Sequence, residues 1–265
     1  MFYDLYKSGL FSKEDDLFFL RKYNEYKNGK EDKLNFKYVY NKIDELQKYL
    51  PSEFFQLNDE FELMIKVMLW VHKFLIPDGD TIPIRPFNCL NILDKTKEDK
   101  IGSNCWMYSV VLNEIFLSFG YKSRMIRCMP FDMRFNDCHC VVQAYASKYD
   151  KQVTFDPAFG TYYTDTNGNP INLEEMRENI INEKKIITPF VPLKYSKELL
   201  NYWIKNIFRF ETYAISKFNM ESDSERAVIY SLLPLGYELT DKNIIFKERE
   251  LNLIYTHDAQ KFWKG

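Results

Sequence analysis

The chain has no run of roughly 18 apolar residues, so no membrane-spanning helix is expected. It has no excess of basic charge. Its 36 Lys and Arg stand against 38 Asp and Glu, for a net charge of −2 and a pI near 6. That balance excludes the basic field on which nonspecific nucleic-acid binding relies. It has no Cys-x-x-Cys pair. Its five cysteines, Cys89, Cys105, Cys128, Cys138 and Cys140, are an odd set at irregular spacing. A reduced, cytoplasmic setting is therefore expected rather than a disulfide-stapled secreted one. The start, Met1 to Lys7, lacks a basic region followed by an unbroken apolar segment, so no secretory leader is expected. No internal repeat or low-complexity linker interrupts the 265 residues.

What is present is enough apolar matter for a sizeable core. Hydrophobic residues make up 46% of the chain and aromatics 17%, so much of the burial will come from Phe and Tyr. The length suits one large domain or a domain with a helical annex. Two helices are read in residues 1–50: one through Leu17, Leu20 and Asn24 to Tyr26, the other through Tyr40, Ile43, Leu46 and Leu50, ending at Pro51. A stronger amphipathic helix is predicted over 58–75, where Phe61, Met64, Ile65, Met68, Leu69 and His72 recur at helical spacing. Residues 77–103 read as a long irregular segment. A helix is predicted over 104–119, capped by Ser103 or Asn104 and ended by Gly120. Strands follow at about 121–129, 139–146 and 152–156. A short helix at 173–177, a helix over 196–220, and strands at 226–232 and 243–246 complete the reading. The expected organisation is an N-terminal helical extension (1–57), a core (58–190) and a C-terminal helix-and-strand extension packed on that core (191–265).

The chemistry concentrates in three residues. Cys105 opens the helix in Ser103-Asn104-Cys105-Trp106, His139 starts the strand His139-Cys140-Val141-Val142, and Asp156 ends Thr154-Phe155-Asp156-Pro157. A thiol at a helix N-terminus sits at the positive end of the macrodipole, which favours the thiolate. His139 can take the thiol proton and later protonate a leaving amine, while Asp156 orients and stabilises the ring. These are the groups that attack an acyl carbon and form a thioester. If Ser147-Lys148-Tyr149-Asp150 form the loop, Ala146 pairs with Lys151 and Val141 with Asp156. His139 is then the diagonal neighbour of Asp156 on one face. A loop of odd length would separate them. The Cys105 N–H can bind an oxyanion, and Trp106, Asn88 and Asn91 are candidates for further oxyanion donors.

Asn104-Cys105-Trp106, the helix ending Phe119-Gly120-Tyr121, then Asp137-Cys138-His139 and Phe155-Asp156-Pro157-Ala158-Phe159, with Tyr162 and Tyr163 nearby, resemble the core of the transglutaminase-like superfamily. The resemblance covers roughly residues 60–180. It implies an α+β, papain-like fold in which a Cys-bearing helix packs on an antiparallel sheet bearing His and Asp. It also implies thiol-dependent acyl transfer: peptide or amide hydrolysis, or transglutaminase-type transfer. That family holds crosslinkers, peptidases, amidases and members that have lost activity, and the fold does not choose among them. No Arg-Gly-Gly-x-Cys pattern is present, which speaks against an arylamine acetyltransferase.

Each residue also has a plainer reading: a buried small thiol, a structural strand-end histidine, an Asp-Pro turn. Two alternatives stand beside the enzyme. One is a catalytically silent module of the same fold that binds a peptide or protein partner; the other is a structural module whose helical ends dock a partner. The substrate expected for the enzyme is a peptide, protein or amide. No cofactor or metal is expected. Cys138 and Cys140 point away from His139 on a strand, so the three do not converge on zinc. Both are read as ordinary buried apolar residues. His72 is read as packed or surface, and His257 carries no signal.

Overall fold

The computed structural model describes residues 12–27, 34–132, 138–221, 227–239 and 252–265. The first helix, α1 (Lys13–Lys22), starts from a reciprocal capping box between Ser12 and Asp15. After the short β1 (Lys37–Tyr38), the window before Pro51 forms only a 3-10 turn over Asp44–Lys48 instead of the expected helix. An α-helix needs several turns to repay its nucleation cost, and Pro51 ends this window early. Next, α2 (Glu60–Phe74) begins at the Asp59 cap, close to the expected bounds.

Residues 77–103 are less irregular than their Pro and Asn content suggests. Past β2 (Ile76–Pro77) they hold a helix, α3 (Cys89–Asp99), capped by Asn88, and the short β3 (Gly102–Ser103). The helix buries Cys89, Ile92, Leu93 and Thr96. That is an i, i+3, i+4, i+7 stripe, present in the sequence and masked by the charges around it.

Next comes α4 (Cys105–Ser118), as predicted, with Asn104 as its cap. Every residue from Met107 to Leu117 is buried. A helix apolar on all sides belongs inside a protein, and this one runs between α2, α3 and the sheet.

The sheet strands are β4 (Ser123–Met129), β5 (His139–Ala146), β6 (Lys151–Asp156), β7 (Thr161–Tyr162), β8 (Arg209–Tyr213), β10 (Val228–Leu232) and β11 (Asn252–Thr256); β9 (Ile215–Ser216) pairs with β1 separately. Their order is β11-β10-β8-β4-β5-β6-β7. All neighbours are antiparallel except β10 and β11. The helices α5 (Leu173–Ile181), α6 (Leu193–Asn206) and α7 (Ala259–Lys264) complete the chain. This is a mixed α and β architecture with a large sheet, compatible with an α+β papain-like fold.

The helix expected over 196–220 ends at Asn206, and the chain re-enters the sheet as β8 beside β4. The run Phe208-Arg209-Phe210-Glu211-Thr212-Tyr213 is rich in aromatic and β-branched residues, and a two-sided sheet rewards it more than a helix does. Residues 191–265 thus supply β8, β10 and β11 to one continuous sheet with β4–β7. The strand expected at 243–246 lies outside the described residues.

Both faces of the sheet are buried. One packs on α2, α3 and α4 through Met125, Val142, Ala144 and Phe155. The other packs on α5 and α6 through Ile126, Cys128 and Val141, against Leu199 and Trp203. No described helix is long and apolar enough to cross a membrane.

Candidate active site

The Asn104 side chain accepts from the Met107 N–H at 3.0 Å, and its amide donates to the Thr81 carbonyl at 3.0 Å. The cap leaves the first-turn N–H groups of Cys105 and Trp106 without helical acceptors, as at any helix start. Cys105 is half-buried. Its sulfur lies 3.8 Å from the Cys138 carbonyl.

Four residues, Ser147 to Asp150, join β5 to β6, and Ala146 pairs with Lys151. That is the loop length the sequence reading required. The register continues through Val142 opposite Phe155, which puts His139 and Asp156 on one face. His139 Nε2 lies 2.8 Å from Asp156 Oδ2. His139 is opposite Cys128 in the β4–β5 register, so its side chain belongs to the α6 side of the sheet. The Phe159, Tyr202 and Trp203 rings surround it at 5.3, 5.2 and 5.0 Å. Cys105 arrives on α4, from the opposite side. The two meet where β5 begins, the Cys105 sulfur lying at the carbonyl of Cys138, the residue before His139, and each group shifts the ionisation of the other. Nε2 being taken by Asp156, Nδ1 is the nitrogen left for Cys105.

Asp156 is fully buried and gathers several donors. Besides His139, the Tyr163 hydroxyl donates to Oδ2 at 2.6 Å and the Phe159 N–H to Oδ1 at 3.2 Å. The Tyr163 oxygen in turn accepts from Trp203 Nε1 at 2.6 Å. A chain of hydrogen bonds therefore runs from His139 through Asp156 and Tyr163 to Trp203. On the other side of the turn, His72 Nδ1 lies 3.1 Å from the Pro157 carbonyl and ties α2 to the segment after Asp156.

The electrostatics favour charge separation. A hydrogen bond from the Cys140 thiol, then the hydrogen bond and charge of His139, pull the Cys105 thiol well below its ordinary value against the cost of burial. For His139, burial favours the neutral ring, but the charge and hydrogen bond of Asp156 and the contact with Cys105 outweigh it and raise the imidazole. Thiolate and imidazolium are mutually stabilising here, the state from which a cysteine nucleophile attacks.

The three oxyanion candidates have their side-chain donors engaged elsewhere. Asn88 caps α3 and donates to Asn219 Oδ1 at 2.9 Å. Asn91 donates to the Pro86 carbonyl at 2.8 Å. Trp106 Nε1 donates to Glu221 Oε1 at 2.8 Å. No group of His, Cys, Asp and Glu arranged to hold a metal occurs among the described residues.

Two expectations need refining. Cys140 is buried and faces away from His139 as predicted, on the face that Cys105 enters, whereas Cys138 is only half-buried, short of the burial expected for it. Tyr202, Tyr163 and Trp203, which wall in the histidine and aspartate, were not read as site residues. Tyr163 is seven residues from Asp156, but Tyr202 and Trp203 lie on a helix more than 40 residues further on, and no local signal assigns them.

No family model matches the chain, and no curated protein matches it. Among solved structures it is similar to one described as "a Putative Cysteine Protease from Cytophaga hutchinsonii", at 16% identity and a TM-score of 0.35. The match covers 55% of this chain and 49% of that one, so it spans about half of each.

Proposed function

We propose that this chain is a thiol-dependent acyl-transfer enzyme that cleaves a peptide or amide through a thioester on Cys105. The observation that supports it most is the placing of His139, with Nε2 2.8 Å from Asp156 and the carbonyl of the preceding Cys138 3.8 Å from the Cys105 sulfur at the start of α4. In this reading the Cys105 thiolate attacks the carbonyl carbon and the carbonyl oxygen becomes an oxyanion. The N–H groups of Cys105 and Trp106, at the positive end of α4, would stabilise it. The His139 imidazolium gives its proton to the leaving amine, and the C–N bond breaks to leave the thioester. Water, deprotonated by the now neutral His139, attacks the thioester; the acid leaves and the thiolate–imidazolium pair is restored. An amine in place of water would complete a transfer by the same steps. Hydrolysis is preferred because it needs no second substrate site.

Asp156 keeps the ring oriented and stabilises its charge. Tyr163 and Trp203 hold Asp156. A module of this fold that only binds a peptide or protein would have no use for a thiol kept as thiolate, and this separates the two readings. The test is to present activated acyl esters and a peptide library and search for an acyl adduct by intact mass. The expected result is an adduct on Cys105, cleaved by hydroxylamine, absent in Cys105→Ala and nearly absent in His139→Ala. An adduct that persists in Cys105→Ala would reject the mechanism. No adduct, with Cys105 no more reactive than a free thiol, would favour the binding module.

A further inference from the structure

A groove of about 570 Å³ lies on the α6 side of the sheet, between α1, the end of α5, the segment 183–188 and α6. The mechanism proposed above does not use it. Its floor is aliphatic, formed by Leu17 of α1, Ile180 of α5, Ile187, and Leu200 and Ile204 of α6. No aromatic side chain lines it among the described residues, although the chain holds 22 Phe and 19 Tyr. Sites for small molecules typically measure about 300–1,000 Å³ and are mostly apolar, with a few polar groups that fix orientation.

The rim carries one sign of charge. Lys13, Lys184, Lys185 and Lys197 stand around the floor against a single carboxylate, Glu183. That carboxylate is already paired with Arg21 at 2.8 Å. Lys184 lies 3.7 Å from Glu178, a long contact between two exposed side chains. Lys13, Lys185 and Lys197 form no ion pair among the described residues. At the mouth stands Leu193, an apolar side chain 92% exposed to water.

We propose that this groove binds a single-chain amphiphile with an anionic head, of the fatty-acid class, its alkyl chain on the aliphatic floor and its carboxylate among the lysines. A floor without ring faces offers a planar ligand nothing to stack on. It suits a flexible chain, whose attraction is the apolar area removed from water. Lysine stems can lie along such a chain while their ammonium groups stay at the rim, where they attract the head. An acidic peptide or an anionic membrane would engage the lysines from outside without filling the floor. The proposal stands apart from the function proposed above. The two sites do share a helix: Leu200, Asn201 and Ile204 of α6 face the groove, while Tyr202 and Trp203 of the same helix contact the His139 ring.

The test titrates the full chain calorimetrically with octanoate, decanoate and dodecanoate, each below its micelle concentration and at low salt. One-to-one binding is expected, tightening about fourfold per buried methylene and so about fifteenfold from each acid to the next. Lys185→Glu and Lys197→Glu change exposed side chains. Each should weaken dodecanoate binding about fivefold or more and leave urea unfolding unchanged. Lys66→Glu, on α2 across the sheet, should bind as the wild type does. Affinity that does not change with chain length would mean that the lysines hold an anion without an alkyl chain, and would overturn the proposal. So would binding unaltered in both groove variants. Association of the chain with phosphatidylglycerol vesicles, but with none of the monomeric acids, would assign the lysines to a membrane surface and overturn it as well.

Discussion

Replacing Asp156 by Asn probes the site at its most connected point. The carboxylate accepts from His139 Nε2 and Tyr163 OH on Oδ2 and from the Phe159 N–H on Oδ1. An amide cannot satisfy all of them. If its oxygen faces His139 and Tyr163, its NH2 meets the Phe159 N–H, donor against donor. If it flips, the NH2 faces His139, the ring must accept at Nε2, and Nδ1 then carries a proton and cannot take one from Cys105. Either way one buried donor loses its acceptor, at a cost of about 1–3 kcal/mol. The larger effect falls on His139. A hydrogen bond to a charged partner contributes about 1.5–3 kcal/mol and one to a neutral partner about 0.5–1.5 kcal/mol. At about 1.4 kcal/mol per pH unit, the ring should titrate about one to two units lower in Asp156→Asn. Burial, which opposes the charged ring, is no longer answered by the carboxylate. The assay is an imidazole 1H–15N titration with His139 assigned by its loss in His139→Ala, alongside urea unfolding. Less active thiolate should follow from the same cause, with Cys105 alkylation near pH 7 slowed about tenfold or more. An unchanged His139 titration, with the variant folded, would refute the claim that Asp156 holds the imidazolium.

Other residues make sharper structural demands. Tyr163→Phe removes the hydroxyl that joins Asp156 to Trp203; it should cost about 1–3 kcal/mol in urea unfolding through the orphaned indole N–H and lower the His139 titration less than Asp156→Asn does. Glu114→Ala leaves the buried Cys89 N–H and the Asn219 N–H without the carboxylate that accepts both at 2.7 Å; a loss of about 2–4 kcal/mol is expected, with Cys105 alkylation unchanged once the variant is folded. In Trp106→Phe the indole bond to Glu221 is lost but the first-turn N–H groups remain, so acyl-enzyme formation should persist within about tenfold; complete loss would mean that the indole, not the backbone, serves the oxyanion.

The placing of His139 beside Asp156 was more legible than the fold around it, for reasons that lie in the residues. Asn104 before Cys105 is a local capping signal, and a four-residue turn between alternating strands fixes a register without outside help. Those two features were sufficient to bring His139 beside Asp156. The stripe of α3 was there to be found, but Asp94, Lys95, Lys97, Glu98 and Asp99 made it read as a charged loop. β8 was not legible locally, because its preference for a strand is decided by β4 and β10 on either side of it. The same holds for the aromatic wall of the site. Tyr202 and Trp203 sit on an amphipathic helix whose pattern says only that it is half-buried, and what it is buried against is settled by the sheet. Cys140 was placed on the right face, but the arrival of α4 on that face gives it a neighbour that strand alternation alone does not show.

The measurement that bears most directly on the central claim is the rate of iodoacetamide alkylation of Cys105 in the wild-type chain as a function of pH. The thiol is lowered from 9.0 by Cys140 and His139, so thiolate persists as pH falls below that value. The imidazole is raised from 6.5 by Asp156 against burial, so the counter-charge persists as pH rises above that value. With the thiol lowered to about 5 and the imidazole raised to about 10, the ion pair spans the whole interval between the two ordinary values, and the alkylation rate should be nearly flat across it. A rate that climbs about tenfold per pH unit through the same interval, as an ordinary thiol does below its pKa, and that is the same in His139→Ala, would contradict the account.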